Sequence, residues 1–433
     1  MRDRVSQVPG YPDEKQFQGF IRRRRRRGAM WRTLFLIATS VGIVVLSALL
    51  LNILDDSFGY VAVKNEIEPA ALLATYAPKR LPMERGGADY QILRELSRDV
   101  QVQILRDHLS QGLIRRLESE QPLDQRSQEE LGDLIIERVV EPHFLASWSL
   151  FDSVFHRARI KAEVAEMDGA SLRFYSWLNP KFVVSPQSSH PEFAGIRTAI
   201  LGSLWVVAIT ILFSLPVGVA AAIYLEEYGQ KGRLNDLIET NINNLAGVPS
   251  IIYGLLGLAI FVRALQPLTG GSLFGIGDAT TNNGRTIISA GLTLGLLILP
   301  IIIINAREAI RAVPQGIRQA SYGLGATRWQ TVWHHVLPNA MPGILTGSIL
   351  AISRAFGETA PLVVIGASAF IIRDPDGPFS KFTTMTIQIY QWTARPQAEF
   401  RHLAAAGIIV LLALLLGLNA TAIWLRNRYQ RSY

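Results

Sequence analysis

The sequence predicts an all-α polytopic membrane protein. It has six transmembrane helices and an α-rich, or α+β, extracytoplasmic insertion between the first and second of them. Three observations predict this. Six apolar runs are each close to the roughly 20 residues that span a hydrocarbon core of about 30 Å: Thr33–Leu54, Thr198–Leu225, Leu245–Leu265, Ile287–Asn305, Ile344–Ile372 and Leu403–Leu425. Core helices of soluble proteins have shorter runs, of about 10–14 residues. The charge is also uneven. Residues 55–195 hold 16 Lys+Arg against 22 Asp+Glu, whereas residues 1–32 carry ten against three. Finally, the chain is 49% hydrophobic, with mean hydropathy +0.22.

Residues 1–31 form a basic cytoplasmic tail without apolar periodicity, expected to be disordered or surface-bound. Arg22 to Arg27 run unbroken just before the first apolar segment (32–54), which places the N-terminus in the cytoplasm. No aromatic interleaving or binding module accompanies the arginines, so they read as a topology anchor on anionic lipid and not as a nucleic-acid site. The segment is too long and too deep in the chain for a cleaved signal peptide, and no small-residue cleavage site follows it. Six crossings return the basic tail 426–433 to the cytoplasm and leave the acidic block 55–195 outside.

That block is long enough for a small domain of its own. Apolar residues at Ile92, Leu93, Leu96, Val100, Ile104 and Leu105 recur at helical steps within Tyr90–Leu117. Leu131–Val140 and Phe151–Val164 are further helical candidates, and Tyr60–Lys64 and Ser171–Tyr175 are strand candidates. The block has no phosphate-binding glycine loop, no metal-spaced His cluster and no nucleophile motif. Cysteine is absent from the chain, so no disulfide and no thiol-based metal or redox site exists.

Pro186–Glu192 marks the linker into the second crossing, and residues 196–425 form the remaining membrane domain. Pro216, Gly218, Gly254, Gly257, Gly291, Gly295, Pro300, Gly347 and Gly357 lie within or beside its apolar runs. Glycine allows close helix approach in a membrane bundle. Glu226 and Glu227 end the second crossing, where Arg233, a partner chain or solvent can meet them.

Residues 307–342 are too polar to cross and too patterned for a simple turn. Pro314 stops one helical piece, Gly316–Leu324 forms a second, and Gly325 ends it in a left-handed cap. Thr327 caps a third, Arg328–Val336, and Pro338 and Pro342 close the segment before crossing five. The loop presents Tyr322, Trp329 and Trp333 with few compensating charges. Such a surface suits a partner groove or the lipid interface.

Gln319-Ala320-Ser321, three residues, then Gly325, and later Leu337-Pro338, resembles the signature loop of type I ABC-importer membrane subunits. The family pattern has glutamate where Gln319 stands, alanine at Ser321 and isoleucine at His335. The surrounding stretches 195–228, 245–261, 307–314 and 354–362 narrow the likeness to A-type permeases of high-affinity phosphate importers, over essentially 195–425. The resemblance implies that Gln319, Ala320, Ser321, Gly325, Ala326, Thr327, Leu337 and Pro338 couple to an ATPase. It also implies phosphate as cargo, a homologous second permease, two cytoplasmic ATPase copies, an extracytoplasmic phosphate-binding protein and a prokaryotic cytoplasmic (inner) membrane location. The insertion lies outside the resemblance.

Arg354 and Glu358 are four residues apart, hence on one face of crossing five. Counting from Gly343 at 1.5 Å per residue places Arg354 about 16 Å in, near the midplane. A lone arginine there costs at least about 2.5–3.5 kcal/mol, so it is expected to face the bundle interior or an aqueous path. A guanidinium suits an oxyanion, since two parallel N–H donors meet two oxygens. Ser353 and Thr359 add hydroxyls to this substrate path. A purely structural ion pair fixing helix register fits the same residues.

No Gly-x-x-x-x-Gly-Lys-Ser/Thr phosphate loop is present, so the chain is expected not to be an enzyme: ATP and Mg belong to the partner ATPase, and no cofactor or metal is expected here. Three rival readings stand: a permease for sulfate or molybdate, a membrane-tethered sensor using the insertion, and an intramembrane enzyme. The sensor lacks a cytoplasmic output domain. The enzyme lacks paired aspartates, a Ser–His pair or a His–Glu metal motif in its crossings.

Overall fold

The computed structural model describes residues 14–78, 88–229, 232–275, 283–367, 371 and 373–429. Two compact units appear, Met1–Asp55 and Asp56–Tyr433. The first is helix α1 (Glu14–Asp56), which carries both the arginine run and the first apolar segment. Residues 1–13 of the basic tail lie outside the described residues. From Glu14 onward the tail, expected to be disordered or surface-bound, is helical, because Lys, Arg and Gln are good helix formers in continuity with an apolar helix.

The second unit begins with the insertion. Strand β1 (Phe58–Asn65) leads into α2 (Pro69–Tyr76), α3 (Ala88–Glu95), α4 (Arg98–His108), α5 (Gln111–Glu120) and α6 (Gln128–Ile135), the last extended by a wide turn to Val140. Strand β2 (Pro142–Ser147), α7 (Leu150–Phe155), α8 (Arg157–Ala165), β3 (Ser171–Ser176) and α9 (Pro180–Val184) follow. The expected single helix over Tyr90–Leu117 is three. The Ser110 hydroxyl accepts from the Leu113 N–H and starts α5, as an N-cap serine does. β2 and α2 were not among the expected elements. β2 opens on proline and contains Leu-Ala, a weak strand signal.

The sheet has the order β2-β1-β3, antiparallel throughout. Asn65 at the end of β1 sits opposite Pro142 at the start of β2. The helices between them close on their own core of Leu72, Leu73, Leu93, Ile104, Leu105, Leu131 and Ile135. The sheet contributes to a different core: Val61, Val63, Trp177 and Phe182 pack with Trp392, Phe400 and Leu403.

The membrane bundle comprises α10 (Arg197–Ile223, extended to Tyr228), α11 (Arg233–Ala246), α12 (Ser250–Gly257, extended to Ala264), α13 (Gln266–Thr269) and α14 (Ile287–Arg311). It continues with α15 (Gln315–Gly323), α16 (Arg328–Thr331), α17 (Leu337–Gly357), α18 (Ala360–Ile365), α19 (Met385–Thr393) and α20 (Ala398–Tyr429). Among the described residues of the whole chain, five helices are long and apolar enough to cross a membrane, or six if the α11–α12 pair, bent by 105°, is one span. The bend corrects the expected straight third crossing. Gly247-Val248-Pro249 interrupts the helix, and the 15 residues from Ser250 to Ala264 rise about 22 Å, short of a full span.

The fifth crossing also departs from expectation. The helical path runs unbroken from Arg328 to Gly357 through Pro338 and Pro342, then stops. The wide turn Val332–Val336 precedes Pro338, and Asn339 Nδ2 donates to the His335 carbonyl at 2.7 Å. A local wide turn is one way a helix accommodates the backbone groups that proline leaves open. Residues 368–370 and Ile372, at the expected end of this crossing, lie outside the described residues.

α10 and α14 form the centre of the bundle. A Cβ on Gly291 would lie 2.6 Å from Ile209 Cγ2 and 3.1 Å from the Val206 carbonyl oxygen, so only glycine lets the two backbones approach this closely. Gly291→Leu is therefore expected to lower stability by about 1–3 kcal/mol through overpacking. Thermal unfolding of the detergent-solubilised chain measures it, and an unchanged midpoint would contradict the packing.

Candidate translocation path and coupling loop

The loop between α14 and α17 is built as the sequence spacing suggests, with one boundary shifted. α15 ends at Gly323, and Gly325 takes φ +82, the left-handed conformation glycine adopts without strain. Thr327 forms a capping box: its hydroxyl accepts from the Gln330 N–H, and Gln330 Oε1 accepts from the Thr327 N–H at 2.9 Å. The helix it starts does not stop at Pro338 but continues to Gly357, so the loop joins directly onto the crossing. Gln319, Ala320, Gly325, Thr327 and Pro338 are exposed; Ala326 and Leu337 are half-buried. Tyr322, Leu324, Trp329 and Trp333 are exposed as well, the two indoles stacked at 5.4 Å.

Ser321 behaves differently. It is buried, with its hydroxyl 2.8 Å from Thr331 Oγ1. The serine in place of the family's alanine thus ties α15 to α16.

The sequence reading missed the residue that holds this loop. Arg318 is buried at 6% exposure. Its Nε and Nη2 donate to Glu227 Oε1 at 3.0 and 2.7 Å, Nη1 to the Val313 carbonyl at 2.6 Å and Nη2 to the Ile310 carbonyl at 2.9 Å. Glu227 lies just past α10, so one guanidinium joins α10, the end of α14 and α15. Glu226 beside it accepts from Arg311 Nε and Nη2 at 3.0 and 3.1 Å, and Arg307 Nη1 reaches Glu239 on α11 at 3.2 Å. Among the described residues, neither Glu226 nor Glu227 pairs with Arg233. The available signal was Arg307 and Arg311, one helical turn apart, facing two carboxylates at the end of a neighbouring crossing.

Arg354 sits in the last turn of α17, and Glu358 is the extended residue after it (φ −77, ψ 129). The expected pair forms, Nε to Oε1 at 3.3 Å, but across a helix end and not along a helix face. Arg354 is half-exposed at 47% of its side chain, and Glu358 shows 19%. Among the described residues the two Nη groups of Arg354 have no hydrogen bond. Ser353 points elsewhere: its hydroxyl donates to the Ile349 carbonyl and lies 2.6 Å from Asn419 Oδ1 on α20. The Thr359 carbonyl accepts from the Leu362 and Val363 N–H groups and opens α18, which buries Leu362 and Ile365 against α10 and α14.

In the insertion, the fold brings Glu66 to Glu141 and His143, with ligand atoms within 4.8 Å of one another. This is the one group of metal-ligand type among the described residues. Burial and a hydrogen bond to Glu66 push the Glu141 carboxyl above the usual range. Both Glu66 and His143 are exposed, and exposed acidic groups of this kind are common without an ion.

The family described as "Binding-protein-dependent transport system inner membrane component" matches residues 214–431. The chain belongs to this family. Among relatives of this ABC-importer permease, "Probable ABC transporter permease protein YqgI" of Bacillus subtilis is 32% identical over 58% of this chain and 84% of its own length. "Phosphate transport system permease protein PstA" of Yersinia pestis is 30% identical over 66% of this chain and 86% of its own. "Phosphate transport system permease protein PstA 1" of Mycobacterium tuberculosis is 34% identical over 51% and 67%. The permease is therefore PstA-like, with the type I importer fold.

Removing one member of a buried ion pair strands the other and costs about 3–5 kcal/mol, whereas replacing both by apolar residues is often neutral. Arg318→Met alone is thus expected to destabilise the permease strongly, and Arg318→Met with Glu227→Leu to recover most of the loss. Thermal unfolding of the three proteins checks this; equal losses in the single and double variants would refute the pairing.

Proposed function

We propose that this permease imports inorganic phosphate, driven by ATP hydrolysed on a partner chain. In this reading it lines the path with a homologous second permease. Two copies of a cytoplasmic ATPase, which bind the ATP and Mg, and an extracytoplasmic phosphate-binding protein complete the importer. The chain lies in the cytoplasmic membrane with both termini in the cytoplasm, as the basic flanks favour.

The observation that carries the reading is Arg354 at a broken helix. Its Nε is engaged by Glu358 and its two Nη groups are open, a fork that fits two oxygens of a tetrahedral oxyanion. Glu358 holds the fork between substrates and keeps the path from retaining the anion. Two relatives bear phosphate transport in their names. Sulfate and molybdate, also tetrahedral, fit the same fork.

Coupling follows from the continuous helix. The exposed face around Gln319, Tyr322 and Trp329 docks on the ATPase. When the ATPase dimer closes, it moves α15 and α16. The unbroken helix from Arg328 to Gly357 carries that movement to Arg354. The buried Arg318–Glu227 pair carries it to α10.

Two outcomes test this. Arg354→Ala is expected to lower uptake of labelled phosphate by the reconstituted importer about 10- to 100-fold, the worth of lost charge-assisted hydrogen bonds. Arg354→Lys, a point charge without the fork, retains part of the rate. An unchanged rate in Arg354→Ala makes the pair structural, and ATP-driven uptake of labelled sulfate or molybdate without uptake of labelled phosphate reassigns the cargo. Deleting residues 319–326 is expected to remove the ATPase from the purified complex; normal ATP-driven uptake by that variant would end the docking assignment.

A further inference from the structure

Among the described residues, the insertion carries an aromatic patch that no core covers. Val154 and Phe155 on α7 are 62% and 70% exposed, and Phe151 and Phe174 are also exposed. The rings form two pairs: Phe151 and Phe155 lie 4.6 Å apart, and Phe174 meets Tyr60 edge-on at 5.8 Å. α7 is fixed beside Tyr60 because the Tyr60 N–H donates to Ser153 Oγ at 2.7 Å.

The position of this patch relative to the bilayer follows from α20. Its apolar run begins at Leu403, so His402 marks the hydrocarbon boundary. His402 stacks on Trp177 at 5.4 Å, and its Nδ1 lies 2.6 Å from the Asp56 carbonyl oxygen. The Trp177 N–H donates to the Ser57 carbonyl at 3.1 Å. The start of β1 and the end of β3 therefore rest on the boundary. Tyr60 and Phe174 are paired two residues further along each strand from Phe58 and Ser176, a rise of about 7 Å even for a strand standing upright. The headgroup zone on each side is about 5–8 Å deep. An exposed phenylalanine at that height reaches it.

The flanking charge has the complementary sign. α8 follows directly with exposed Arg157, Arg159 and Lys161 against one carboxylate within the helix, Glu163; Asp152 on α7 pairs with His156, and Glu166 and Asp168 follow the helix. Among the described residues none of the three cations is in a salt bridge, and Arg157 lies over the Tyr60 ring at 5.7 Å. Aromatic side chains next to a cationic helix suit an interfacial element on anionic lipid. We infer that the α7–α8 corner of the insertion is a lipid-binding foot: Phe151, Val154, Phe155 and Phe174 enter the leaflet on that side while Arg157, Arg159 and Lys161 hold anionic headgroups. This stands apart from the assignment of cargo.

The chain has no cysteine, so a single introduced one carries an environment-sensitive fluorophore without background. The full chain is reconstituted into nanodiscs with Val154→Cys, Phe155→Cys or, on the exposed surface of the helical part, Gln125→Cys. The discs contain brominated phosphatidylcholine, alone or mixed with phosphatidylglycerol. Labels at 154 and 155 are expected to be quenched at least about twofold more than the label at 125, and further in phosphatidylglycerol. Arg157→Gln with Arg159→Gln and Lys161→Gln is expected to remove that increment. Both labelled sites are exposed, so neither substitution empties a core, and two sites guard against failure of one. Quenching at 154 and 155 equal to that at 125 overturns the inference. So does shielding that appears only when the other importer subunits are added, which makes the patch a protein contact. Equal quenching in both lipids overturns the anionic-headgroup part.

Discussion

A carboxylate at the end of an apolar helix must find either water or a cation. At the end of α10 the chain places two, and both find arginine. Glu227 takes the buried Arg318, and Glu226 takes Arg311. The organisation of this end of the bundle depends on that arrangement. α14 supplies the carbonyl of Ile310 and the turn after it that of Val313, α15 supplies the guanidinium, and α11 is drawn in through Arg307 and Glu239. Because the pair is buried, its strength lies less in net stability than in the cost of any arrangement that separates its members. The exposed loop therefore has one position relative to the bundle.

The same economy of fixed points appears on the other side. Arg197, at the start of α10, pairs with Asp374 at 2.9 Å, and Thr198 donates to the same carboxylate. Between these ends the bundle is closely packed, with interruptions at Gly247–Pro249 and at Glu358–Thr359. Broken helices inside membranes are tolerated where they face protein or a cavity. The second break carries the arginine.

Most of the membrane part was legible in sequence because long apolar runs and a positive flank are strong signals. The capping at Thr327 and the left-handed Gly325 were legible for the same reason: each rests on a local rule. What sequence hid was non-local. Arg318 looks like any surface arginine until the fold closes Glu227 over it. Ser353, grouped with Arg354 by proximity in sequence, turns to Asn419, 66 residues away. Pro338 and Pro342 suggested a stop, but the wide turn before them and the Asn339 amide let the helix continue. In the insertion, helix-favouring residues over Tyr90–Leu117 gave the type of element and concealed its breaks at Ser97 and Ser110. β2 was invisible because its strand character comes from pairing with β1.

The register of that pairing bears on how such a chain is assembled by recombination. Asn65 and Pro142 face each other across two neighbouring strands, so everything between them is a module grafted into the tip of a β-hairpin. The helical module keeps its own core, while the hairpin below packs Val61 and Val63 into the core of Trp177, Phe182, Trp392 and Phe400. The seam along which the molecule can be cut is thus inside the insertion, at the hairpin tip. Excision there leaves a hairpin that a short turn can reseal, whereas excision at residues 55 and 195 would strip the cap from α19 and α20.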